Sequence, residues 1–288
     1  MLMTRKIKIT SDSTCDLSEE LCSRYGIDLV SLHIVYGNES YDDCKNIFPA
    51  DIINRYREKK ELPKTAAVSV GEYAEVFKKY VDDGYEVIHI NLGSSISSTH
   101  QNAVAAAEEV GNVYVIDSQS LSCGTGLLVL KAVDMVNETE LSAKEIANKI
   151  QELVPKVVTS FVIDDLEFLN AGGRCSTLAM LGANLLNIKP CIEVDNSGGA
   201  SMTVGRKYRG KFDKVASQYA REKLSQYTNF DPERAFVVSS GVSDEIVNNL
   251  CEIVESLGVF KEICTGIASC TITSHCGPGT VGVIFLTK

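Results

Sequence analysis

The chain has 288 residues, of which 44% are hydrophobic and 23% charged, and its formal net charge is −10. That is the composition of a globular protein long enough for a substantial core and for two domains. The acidic balance argues against a nucleic-acid partner, which wants a basic face, and no run approaches the ~18 apolar residues of a membrane span.

The opening "MLMTRKIKITSDST" turns polar by residue 10 and predicts no signal peptide. Apolar β-branched runs then alternate with helix-length periodic segments. In the first half, strands are predicted at Lys6–Thr10, Leu29–Tyr36, Val87–Leu92 and Val113–Ile116. Helices are predicted among them at Ser18–Tyr25, Ala50–Lys59, Val70–Asp83, Thr99–Val110, Leu121–Glu138 and Ala143–Leu153. The second half continues with strand Val157–Ile163, helix Ser176–Leu186, and strand Ile188–Val194. There "NSGGAS" (196–201) reads as a hairpin turn into Ser201–Val204. Helix Lys211–Gln226, strand Ala235–Ser239, helix Asp244–Leu257 and strand Val281–Leu286 complete the pattern. The rhythm predicts an α/β protein of two domains, 1–155 and 156–288, each with a largely parallel sheet flanked by helices. The boundary falls near residue 155, where a helical stretch meets Pro155 and a new strand follows.

Ten cysteines are scattered without a C-x-x-C pair, so they read as reduced thiols of a cytoplasmic protein, mostly buried. The four histidines, His33, His89, His100 and His275, show no metal-ligand spacing, and no metal or cofactor is expected.

The densest chemistry lies in "NLGSSISSTHQNA" (91–103), with five hydroxyls in residues 94–99. A strand ends and a helix begins there, which suits a small anion; the same residues, Ser95 and Ser97 among them, could instead be caps and loop contacts. Two other strand ends look alike: Ser11–Thr14, and Asp117 with Ser118. Parallel strands would bring all three to one sheet edge, where helix capping is the simpler role. "DDLEFLNAGGRCST" (164–177) sets Arg174 after a Gly pair, where it could meet an anion or Glu167, with a structural turn as the simpler account. "SHCGPGTVGVIFL" (274–286) satisfies G-x-G-x-x-G, but a strand follows it where a dinucleotide site needs a helix. What stands out there is His275 ahead of a Gly-Pro-Gly turn.

Together these stretches resemble the bacterial DegV family, fatty-acid-binding proteins that serve fatty acid kinase. The likeness rests on Asp12–Thr14, Leu62–Thr65, the serine loop Gly93–Thr99, Asp117-Ser118, "DDLEFLNAGGR", Lys189-Pro190 and H-x-G-x-G at His275–Gly279. It implies that Thr65, Ser97 and His275 hold a fatty acid's carboxylate. A tail such as that of palmitate or oleate would lie in an apolar tunnel, mostly in the second domain. The ligand would be bound without a covalent bond. An ATP-dependent partner kinase would phosphorylate it, and the acyl phosphate would enter phospholipid synthesis. This sequence departs from the family at Ala66-Ala67-Val68, where T-S-Q-P is common after the threonine, and at Ser98, where a glycine is usual.

Leu178, Met180, Leu181, Leu185, Leu186 and Ile188 are tail-lining candidates, with plain core packing as the simpler account. The basic run "GRKYRG" (205–210), Arg206 included, is a candidate face for the kinase or a phosphate, with a plain solvated face as the simpler account, and Ser95, Arg174 and Arg206 are further candidate ligand contacts. A monomer is expected. The alternative is an acyl- or phosphoryl-transfer enzyme with Ser97 as nucleophile and His275 as base.

Overall fold

The computed structural model describes residues 6–175, 177 and 188–288. Among them, the first half runs β1 (Ile7–Asp12), α1 (Glu19–Tyr25), β2 (Asp28–Val30), β3 (His33–Tyr36), β4 (Glu39–Asp42), α2 (Pro49–Lys59) and β5 (Lys64–Ala66). It continues with α3 (Val70–Asp82), β6 (Glu86–Asn91), α4 (Thr99–Val110), β7 (Val113–Asp117), α5 (Cys123–Glu138) and α6 (Ala143–Leu153). The second half runs β8 (Val157–Ile163), α7 (Glu167–Gly172), β9 (Lys189–Asp195), β10 (Ser201–Tyr208), α8 (Phe212–Ser225) and β11 (Phe230–Ser240). It ends with α9 (Asp244–Glu255), β12 (Glu262–Ile267), α10 (Cys270–Cys276) and β13 (Thr280–Thr287).

Local chemistry sets many of these bounds. Ser69 and Ser142 cap α3 and α6 through reciprocal bonds with Glu72 and Glu145. Gly26 ends α1 in the left-handed conformation that residues with a Cβ resist.

The first sheet has the order β2-β1-β6-β7 with every pair parallel, so Asp12, Asn91 and Asp117 reach one edge as expected. The second sheet corrects the expectation. Its order is β10-β9-β8-β13-β11-β12, and only β11 and β12 pair in parallel. A helix between strands makes a parallel crossover possible, but it does not make the two strands neighbours with one direction. Here β13 enters between β8 and β11, antiparallel to both.

A third sheet, β4-β3-β5, is antiparallel. It exists because the predicted strand Leu29–Tyr36 is broken: Leu32 N–H donates to Ser13 Oγ at 3.2 Å, and Leu32 O accepts from Asp43 N–H at 2.9 Å. β5 aligns Thr65 with Ile34. The predicted helix Ser176–Leu186 lies outside the described residues, apart from Thr177. Helix α10 was not predicted, since "CTITSHC" is rich in β-branched residues; Ser269 Oγ caps it by accepting from Ile272 N–H.

First-sheet strands lie before residue 118 and second-sheet strands after 156. One buried cluster nonetheless joins Ile9, Ile88 and Ile90 to Phe236, Val238 and Ile284 through the buried face of α5.

Candidate functional site

Between the sheets is a cavity of about 190 Å³. Thr65, Ser97, Ser98, Arg174 and His275 contribute polar groups to its wall. Leu32, Leu92 and Leu121 from the first half face it together with Phe161, Met202 and Ile284 from the second. Thr65 Oγ1 and His275 Nε2 are 2.9 Å apart, although 210 residues separate them. Sites of this kind, mostly apolar with a few convergent polar groups, take small amphiphilic ligands.

Buried carboxylates position the His275 helix. Asp43 accepts from Cys270 N–H at 2.7 Å and Thr271 N–H at 3.1 Å, and Asp16 accepts from Ser269 N–H at 2.9 Å. The N-cap donor and the first two donors of α10 are therefore satisfied by residues from the other end of the chain. On the far side, a Cβ on Gly172 would fall 2.3 Å from His275 Nδ1, so the glycine makes room for the ring. A Cβ on Gly277 would meet Phe168 at 2.7 Å, and that residue has φ +72°.

The serine loop is pinned just as closely. Leu92 N–H donates to Asp12 Oδ2 at 2.9 Å, Gly93 N–H to Ser120 O at 2.9 Å, and Ser94 N–H to Asp117 Oδ1 at 3.1 Å. Tyr73 Oη bonds both Asp12 and Thr99 Oγ1, joining the end of β1 to the start of α4. Ser97 Oγ accepts from Thr99 N–H at 3.2 Å.

Burial lowers the His275 pKa from 6.5 to about 4, and the nearby Arg174 adds to the effect. The ring is thus neutral at pH 7. Its buried Nδ1 has no hydrogen-bond partner among the described residues. A bare lone pair is cheaper to bury than an unpaired N–H, so the favoured tautomer carries the proton on Nε2 and donates it to Thr65 Oγ1. The Thr65 hydroxyl hydrogen is then free to point into the cavity. A cavity with hydroxyl donors, a neutral imidazole and one guanidinium can accept an anionic head beside an apolar body.

Of the six predicted contacts, the fold brings Thr65, Ser97, Arg174 and His275 to one cavity wall. Ser95 is elsewhere: its exposed hydroxyl donates to Gly199 O at 2.7 Å and docks the 196–200 turn. Arg206 is also outside the wall, paired with Glu222 at 3.1 Å and set over the Tyr208 ring. Arg174 does not pair with Glu167; it donates to Gly172 O at 2.7 Å, and Glu167 accepts from Tyr56 Oη. Asp12 and Asp117 accept from loop N–H groups, those of Leu92, Ser94 and Gln119, and cap no helix. Leu178, Met180, Leu181, Leu185 and Leu186 lie outside the described residues, and Ile188 is half-buried away from the described wall. Sequence reasoning missed Asp16 and Asp43, which carry no local motif. It also missed the apolar wall residues, whose spacing is that of ordinary core.

The sequence model of the DegV family, described as an uncharacterised protein family, matches residues 6–288. A DegV domain-containing protein of Clostridium acetobutylicum is 32% identical over 286 residues, spanning 98% of this chain and 99% of the relative. Among solved structures, a fatty-acid-binding DegV family protein from Thermus thermophilus superposes with a TM-score of 0.89 at 28% identity, covering 98% of this chain and 100% of the other. DegV of Bacillus subtilis, described as a fatty acid binding protein, gives 0.84 at 26% identity, covering 99% and 100%. With its cavity, its pinned serine loop and a match over nearly its whole length, the chain belongs to the DegV family.

Proposed function

We propose that the protein is a non-enzymatic carrier that binds one long-chain fatty acid without a covalent bond, its carboxylate at Thr65, Ser97 and His275 and its tail along the apolar wall. The observation that carries this reading is the Thr65–His275 pair, 2.9 Å apart, on the wall of a largely apolar cavity that Ser97 and Arg174 share. The fatty-acid-binding relatives with the same fold support it. The physics divides the labour. Each methylene withdrawn from water contributes about 0.8 kcal/mol, so a palmitate tail supplies on the order of 11 kcal/mol before the cost of association. The head group then needs only donors that offset its desolvation. Hydroxyls and a neutral imidazole do so without the grip of a buried ion pair, which suits cargo that must leave again.

The cargo would be handed in the cytoplasm to an ATP-dependent kinase that phosphorylates the carboxylate for phospholipid synthesis. Arg174 and the basic run around Arg206 are the candidate docking face. The alternative, transfer chemistry with Ser97 and His275, gains little support. His275 pairs with Thr65, and with a pKa of about 4 it is a weak base at neutral pH.

Native mass spectrometry of the purified protein, followed by organic extraction, tests the reading. A stoichiometric excess of a few hundred daltons that extracts as free fatty acid is expected. Thr65→Val and Ser97→Ala should weaken lipid retention by roughly tenfold or more, the worth of a hydrogen bond to a charged group, with the fold intact. Protein that emerges bare and takes up neither palmitate nor oleate would overturn it.

A further inference from the structure

A second cluster of chemistry lies outside the cavity wall, at the other end of the His275 helix. Residues 42–46 form a turn closed on itself. Lys45 N–H and Asn46 N–H donate to Asp42 O at 3.1 and 3.3 Å, and Asp42 N–H donates to Asn46 Oδ1 at 2.7 Å. Cys44 stands within this turn at φ 58°, a conformation that favours glycine and costs a residue with a Cβ about 1 kcal/mol. Nothing in the turn itself calls for a thiol there.

What the side chain meets is distant in sequence. The Sγ atoms of Cys44 and Cys270 and a carboxylate oxygen of Asp43 all lie within 4.8 Å of one another. Asp43 is held by three donors: Cys270 N–H at 2.7 Å, Thr271 N–H at 3.1 Å and Ser13 Oγ at 3.0 Å. A carboxylate has about four acceptor sites, so this shell orients Asp43 and still leaves room for a ligand bond. Asp43 and Cys270 are buried, whereas Cys44 is exposed, so the cluster opens to solvent on one side.

We propose that Asp43, Cys44 and Cys270 form a binding site for a thiophilic divalent cation of the zinc class, with two thiolates, one carboxylate and a position open to solvent. Thiolate and carboxylate oxygen are both established ligands of such an ion, whereas magnesium and calcium require oxygen throughout. Binding sends the two thiol protons to solvent and moves no electrons. Because binding displaces the two thiol protons, affinity rises with pH. The bound ion would tie the 42–46 turn to the first residue of α10. This site does not depend on the lipid reading.

Cobalt(II) is the probe, titrated into the full chain under a phosphine reductant. The expected result is a thiolate-to-cobalt charge-transfer band with visible d–d bands, saturating at one equivalent and displaced by zinc but not by magnesium. Cys44→Gly removes one ligand and suits the left-handed backbone, so the fold is kept and the bands must vanish. Cys251→Ser alters a partly exposed thiol elsewhere and must leave them unchanged. Three results overturn the proposal: no charge-transfer band in excess cobalt, bands that persist in Cys44→Gly, or a pair that excludes cobalt and is oxidised by a small disulfide to a Cys44–Cys270 linkage.

Discussion

His275 and Asp16 are buried titratable groups whose effects on stability oppose each other. Burial lowers His275 from 6.5 to about 4, so the unfolded chain takes up a proton that the folded one refuses. Its contribution is therefore lost as pH falls from 6.5 towards 4. Burial raises Asp16 from 3.8 to about 7, against the opposing pull of hydrogen bonds from Ser122 and Ser269. The folded state keeps a proton there that the unfolded state gives up, so stability is lost as pH rises from 3.8 through about 7. Over the shared window the two slopes partly cancel. In His275→Gln the Asp16 slope should stand alone, and stability should fall more steeply with rising pH. The difference between variant and unaltered protein should change by roughly 3 kcal/mol across the window. Urea unfolding at a series of pH values measures this, and parallel curves would reject it.

Among the elements, α3 supports the serine loop without reaching the described cavity wall. Its Tyr73 hydroxyl bridges Asp12 and Thr99, while Asn91 Nδ2 and Leu92 N–H bind the same carboxylate. Tyr73→Phe keeps the ring stacked on Phe77 but deprives a fully buried carboxylate of its hydroxyl donor. A loss of about 1–3 kcal/mol is expected in denaturant unfolding, with faster release of bound ligand. An unchanged release rate would show that the loop holds its shape without this bond. The same scale shows what sequence can reveal. Capped, amphipathic helices such as α3 and α6 were legible because Ser69 and Glu72, or Ser142 and Glu145, announce their starts. The five hydroxyls of residues 94–99 marked the right junction, yet Ser95, Ser97 and Thr99 have three different duties. Those duties are assigned by partners 26 to 104 residues away, or by a single backbone N–H nearby, and no local pattern records them. Helix α10 was illegible because its start is fixed from outside, by Asp16 and Asp43.

For the whole molecule, α5 is the shared centre. Its residues pack against both sheets, and Lys131 and Asp134 pair across to Asp231 at 2.8 Å and Arg234 at 2.5 Å. Two halves joined by a common core should unfold together. Far-ultraviolet circular dichroism and tyrosine fluorescence should report one coincident transition; two separated midpoints would mean that the halves are independent. The α/β class followed from the alternation of elements, but strand direction in the second sheet did not. That depends on β13, which joins β8 across more than a hundred residues of chain.

The same strand decides when the cavity can exist. Thr280 and Ile284 of β13 belong to the cavity wall, and the strand lies between β8 and β11. While the ribosome is still delivering those residues, the sheet has a gap at its centre and the cavity lacks part of its floor. A nascent chain at that stage exposes unpaired edges of β8 and β11, which chaperones guard against premature association. The cavity is therefore complete only once β13 is in place, and any arrest or frameshift upstream of residue 280 yields a chain with neither a closed second sheet nor a complete cavity wall.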